Sequence, residues 1–172
     1  STQPVHLKLT REGWLQPWVR VRLNEQDEQA RLVSMPGFKS LNRIEAIKPG
    51  ARLGDLGAAI QEHAERQRYS VVEAFCGHGL GRVFHDSPNI LHFGRRGQGE
   101  RLLPGMIFTV EPMINLGRKD VALLADGWTA VTRDRSLSAQ YEHSIGVTDK
   151  GCEIFTASPT GQHTPHTSGV KT

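Results

Sequence analysis

Residues 75–85, FCGHGLGRVFH, are the stretch on which the reading of this chain turns. His78 stands among Gly77, Gly79 and Gly81, and His85 closes the run. A histidine between small residues is sterically open to a metal or a substrate, whereas a core histidine is walled in by bulky neighbours. Residues 69–75 read as a strand leading into this histidine loop, and residues 85–105 as mainly loop, with Gly94, Gly97 and Gly99 permitting tight bends.

Toward the C-terminus, residues 106–113 form one strongly strand-like run that carries Glu111. A turn follows at Leu116-Gly117, then a strand over 121–124, a hairpin turn at Asp126-Gly127 and a return over 128–132. Residues 133–139 are a polar connection. The run 141–148 is a further strand, with Glu142, Ser144, Gly146 and Thr148 on one face and His143, Ile145 and Val147 on the other. Asp149-Lys150-Gly151 turns it into a last strand over 152–156.

Toward the N-terminus, Leu53, Leu56, Ile60 and Ala64 give one apolar helical face, with Gln61, Glu62, Glu65 and Arg66 turned to water. Gly57 costs this helix about 1 kcal/mol relative to Ala, so tertiary packing must support it. Leu41, Ile44 and Ile47 make a shorter stripe that stops at Lys48-Pro49-Gly50. Residues 1–38 are irregular: two short alternating runs around Leu7 and Val21, interrupted by Pro17 and ended by Met35-Pro36-Gly37. Residues 158–172 are rich in Ser, Thr, Gly, Pro and His and read as a disordered tail in which His163 and His166 are not held rigid.

A chain of 172 residues suits one domain that buries roughly two-thirds of its unfolded surface. No apolar run approaches the ~20 residues of a membrane helix, and no signal-peptide pattern opens the chain, so no membrane partner and a cytoplasmic location are expected. The net charge of +3 comes from interspersed signs, a solvated surface rather than a DNA-binding stripe. Arg95, Arg96 and Arg101 are the densest basic group. Cys76 and Cys152 are too few and too far apart for a disulfide framework or zinc finger and read as buried thiols.

His78, Glu111 and Glu142 offer an imidazole and two carboxylates from separate elements. Such a set can hold a divalent ion and leave a position for water, whose pKa the ion lowers toward neutrality. The alternative is that the glutamates pair with Arg82, Arg133 or another cation. His85 could donate to a substrate carbonyl or oxyanion, or be an exposed loop histidine. Trp128 reads as a sheet or pocket-wall residue.

Four blocks, IEAIKPGARLGD (44–55), FCGHGLGRVFHDSPNILHFG (75–94), LLPGMIFTVEPMINLG (102–117) and DGWTAVTRDRSLSAQYEHSIGVTDKGCEI (126–154), closely resemble the second half of type I methionine aminopeptidases of metallopeptidase family M24. The resemblance implies an α/β (α+β) chain with a truncated pita-bread fold: a curved antiparallel sheet with flanking helices, residues 39–157 being the C-terminal half-domain and 1–38 a diverged strand region. It also implies removal of N-terminal Met from peptides or nascent chains by metal-activated water. Carried over by motif, His78, Glu111 and Glu142 would be metal ligands and Glu111 with His85 catalytic. Phe84, His85 and Trp128 would line the substrate side. The family's two metal-binding aspartates fall at His6 and Pro17, so one ion (Co, Mn, Fe or Zn) is expected rather than two. The competing expectation is an inactive remnant that binds a peptide or a second chain covering its exposed sheet.

Overall fold

The computed structural model describes residues 44–140 and 142–156. The expected strands within residues 1–38, the tail, and the aspartate-equivalent positions His6 and Pro17 lie outside them. Among the described residues, a 3-10 turn at Ile44–Ala46 is followed by one helix, α1 (Leu53–Arg66), and ten short strands. These are β1 (Ser70–Val71), β2 (Gly77–Gly79), β3 (Asp86–Ile90), β4 (Ile107–Val110), β5 (Met113–Asn115), β6 (Val121–Leu123), β7 (Ala130–Thr132), β8 (Ser138–Gln140), β9 (His143–Val147) and β10 (Cys152–Ile154).

The helix forms as its apolar spacing predicts, with Leu56, Ile60 and Ala64 wholly buried. Its start is tied down by Asp55: Oδ2 accepts Arg52 N–H at 2.7 Å and Oδ1 accepts Gly97 N–H at 2.7 Å. Those backbone donors, Gly97 first, hold the Asp55 carboxyl below the ordinary range. Gly57 is explained by packing: a Cβ there would strike the carbonyl of Phe93 and crowd that of Leu91, so α1 lies directly on the 91–93 backbone.

The strands form three antiparallel sheets: β10-β9-β4-β2-β3, β1-β5-β8 and the hairpin β6-β7. Phe108, Val110, Ile145 and Val147 from the largest sheet, Ile114, Val71 and Ala139 from the second, and the α1 stripe join one buried cluster with Ile90 and Leu102. In β9 the odd-numbered residues His143, Ile145 and Val147 are buried, as alternation predicts.

Several boundaries differ from expectation. The strand expected over 69–75 shrinks to Ser70–Val71. His78 lies on a strand and not in a loop, because glycines on both sides let neighbouring strands close in: a Cβ on Gly77 would strike Thr109, and one on Gly79 would strike Ser87. The segment expected as loop contains β3, whose Pro88 is tolerated because β3 is the sheet's edge. The single run expected over 106–113 is divided by Glu111-Pro112 into β4 and β5, which belong to different sheets. Pro112 has no N–H to continue the ladder, so the chain changes sheets there. Part of the expected 133–139 connection and the residue after it also join β8 against β5, Asn115 facing Ser138.

Candidate metal centre

Glu111 sits at that change of sheet. Its N–H points to His92 Nε2 at 3.0 Å, its carbonyl accepts from Gln140 Nε2 at 3.2 Å, and its Oε2 accepts from the same amide at 3.1 Å. Thr109 Oγ donates to Oε1 at 2.6 Å and itself accepts His78 N–H at 3.0 Å. These partners replace the arginines weighed from sequence. His78 Nδ1 lies 3.0 Å from Gly79 O and Nε2 3.7 Å from Glu111 Oε1. With Nδ1–H donated to that carbonyl, Nε2 carries the lone pair on the Glu111 side.

Glu142 completes the group electrostatically. Burial, and then the Glu111 charge, push its carboxyl above the ordinary range, while His78 pulls it back down. Two carboxylates and an imidazole thus influence one another in a partly buried region, where a carboxylate charge favours a cationic or hydrogen-bonding partner. Among the described residues, no three His, Cys, Asp or Glu side chains are already set as a metal-holding group. One imidazole and two carboxylates are nevertheless donors of the kind that suit a divalent cation.

The rim is aromatic. The His85 ring meets His78 edge-on at 4.4 Å, and Phe84 lies 5.3 Å from His78 and 4.7 Å from His85. Phe84 is 59% exposed. Trp128, by contrast, is 85% exposed just before β7. Cys76 and Cys152 are half-buried free thiols; burial and then the Glu111 charge raise the Cys76 pKa, which argues against a thiolate. His143 is buried with Nδ1 2.9 Å from Thr156 Oγ.

Sequence reasoning passed over Thr109, Gln140 and His92. Thr109 was legible by alternation, since residues two apart on a strand share a face. His92, 1% exposed, sits between Leu91 and Phe93, an apolar setting at odds with a solvated loop. Burial holds it neutral, with a pKa lowered to about 3.

Known proteins carry the same arrangement of sequence. The chain is 58% identical over 130 residues to methionine aminopeptidase of Rickettsia prowazekii, covering 75% of this chain and 50% of that one. It is 59% identical over 113 residues to methionine aminopeptidase A of Synechocystis, covering 66% of this chain and 45% of the relative. The crystal structure of the Rickettsia prowazekii enzyme superposes with a TM-score of 0.69 at 54% identity, covering 76% of this chain and 52% of that one. The pita-bread fold expected from the motifs is therefore the fold of this chain. The chain spans about half the length of the curated relatives it matches. A sequence model of metallopeptidase family M24 matches residues 24–149, a stretch that takes in His78, Glu111 and Glu142 together, and on that match the chain belongs to family M24.

Proposed function

We propose that this chain is a methionine aminopeptidase-like metallohydrolase that releases N-terminal Met from peptides or nascent chains in the cytoplasm. The observation that carries the reading is the approach of His78 Nε2 to Glu111 Oε1 at 3.7 Å, with the Glu142 carboxyl near enough to feel the Glu111 and His78 charges.

His78, Glu111 and Glu142 would hold one divalent ion. When bound, that ion would polarise the scissile carbonyl and acidify a water molecule. Glu111 is the group to take a proton and return it to the departing amine, because Thr109 and Gln140 fix its oxygens without supplying a full countercharge. His85, whose ring meets that of His78 at 4.4 Å, would donate to the substrate carbonyl oxygen. Phe84 offers an apolar face to the methionine side chain, and Trp128 is confined to the approach.

Calorimetric titration of the folded chain with Mn, Co, Fe or Zn, beside Glu142→Ala, tests the site. Stoichiometric binding lost in the variant, together with metal-dependent Met release from short peptides, is the expected result. Binding that Glu142→Ala leaves intact would overturn the ligand assignment. A second reading, a non-hydrolytic chain that binds a peptide or partner, is favoured by Pro17, which has no side-chain donor, at one of the two aspartate-equivalent positions. A folded chain that binds no metal and releases no Met would select it.

A further inference from the structure

His92 belongs to no part of the mechanism above, yet its ring is 1% exposed and its Nε2 meets the Glu111 amide. That amide has a special difficulty. β4 ends with Val110 facing His143, and Pro112 offers no N–H on the other side, so the crossing between sheets leaves the Glu111 N–H without a ladder acceptor. A buried amide left unpaired costs about 1–3 kcal/mol, and a strand residue freed of its bond can also turn. His92 removes both problems with one lone pair.

The segment bearing His92 is itself immobilised. Gly57 of α1 lies against the carbonyls of Leu91 and Phe93, and Gly54 against those of Arg95 and Gln98. A line of direct contact thus runs from α1 to residues 91–93, through the His92 ring, to the Glu111 backbone. Gln140 grips the same residue from the opposite strand at its carbonyl and Oε2.

We propose that His92 is a positioning residue for Glu111: with Gln140 it clamps the backbone so that the carboxylate is presented toward His78 before any ion arrives. The inference rests on the functional reading for what the carboxylate then does, but the clamp itself is made of protein groups alone. Residues that orient a ligand from behind typically change metal affinity 10–100-fold when lost.

The test uses the whole chain and two variants, His92→Leu, which keeps bulk but has no acceptor, and His92→Gln, whose amide oxygen can accept. In the metal-free protein, 15N NMR follows the Gln140 side-chain amide. Loss of its slowed solvent exchange in His92→Leu, restored in His92→Gln, is expected. Unchanged exchange in a folded His92→Leu would overturn the clamp. If His92→Leu does not fold, an NMR scalar coupling between Glu111 15N and His92 Nε2 in the unaltered chain decides, and its absence would refute the contact. In the metal arm, Mn titration should show ~10-fold or greater weakening for His92→Leu with recovery in His92→Gln. Equal affinity in parent and Leu variant would overturn the positioning role. Failure of the unaltered chain to bind metal would count against the functional reading alone, while the Gln140 arm still decides the clamp.

Discussion

The floor of the candidate centre and its rim are built on different principles. On the floor, Glu111 has its amide, carbonyl and both carboxylate oxygens held by His92, Gln140 and Thr109. On the rim, Phe84 and His85 are exposed, and they meet His78 through ring contacts. Buried polar groups must be satisfied or they cost several kcal/mol, so a floor that places charge away from water has to be over-determined. A rim in water pays no such penalty and is free to yield to a substrate. The contrast predicts that damage to the floor is felt as stability and damage to the rim as binding.

The largest effect should come from Gly77→Ala. The new Cβ would fall on the Thr109 carbonyl, which belongs to a central strand and cannot step aside as a side chain could. We expect a loss of ~3 kcal/mol or more in urea unfolding, or no folded protein; a loss below ~1 kcal/mol would mean that the strands are not in such close contact. Next is Thr109→Val, which keeps shape but removes the hydroxyl shared by His78 N–H and Glu111 Oε1. A loss of ~1–3 kcal/mol is expected by the same measurement. No loss would show that water replaces the hydroxyl and that the floor is wetter than its geometry implies.

The same contrast explains what could be read from sequence. The helix was legible because Leu56, Ile60 and Ala64 recur at helical spacing, and β9 because His143, Ile145 and Val147 alternate. His78, Glu111 and Glu142 were legible because an open histidine and carboxylates in apolar strands are chemically conspicuous. The floor was not: His92 acts through the fold, meeting Glu111 from 19 residues away only because α1 presses its segment inward. β3 was hidden because Pro88 and Asn89 are poor strand formers, an objection that an edge position removes. The break at Pro112 could have been called, since proline cannot continue a ladder, but the hydrophobic run on either side masked it.

The rim gives the next smaller stability effects. Phe84→Ala should move the unfolding free energy by no more than ~0.5 kcal/mol, as surface changes do, while raising KM for Met-leading peptides several-fold with kcat less affected. Trp128→Ala, at a position 85% exposed, should be quieter still in stability. If Phe84→Ala lowers stability by ~2 kcal/mol with KM unchanged, its ring is a structural strut and the rim is not the substrate side.

Asp134 separates exposure from lack of bonding, which the floor and rim confound. It is exposed like Phe84, yet bonded like Glu111: Oδ2 accepts Arg118 N–H at 2.6 Å and Oδ1 accepts Ser136 N–H at 3.0 Å. The Arg118 amide foremost, with Ser136, lowers its pKa from 3.8 to about 2. Because the folded pKa lies below the unfolded one, the unfolded chain binds more protons between those values, and stability rises with pH across that window. The contribution is whole above pH 4 and fades as pH falls through about 2. Solvent screening keeps it small. The melting temperature of the parent should exceed that of Asp134→Asn by a steady margin above pH 4, and the margin should close toward pH 2. Parallel curves across the window would mean that the bonds to Asp134 shape the turn without favouring its charge, and that hydrogen bonding in water orients a carboxylate no more firmly than the ring contacts orient the rim.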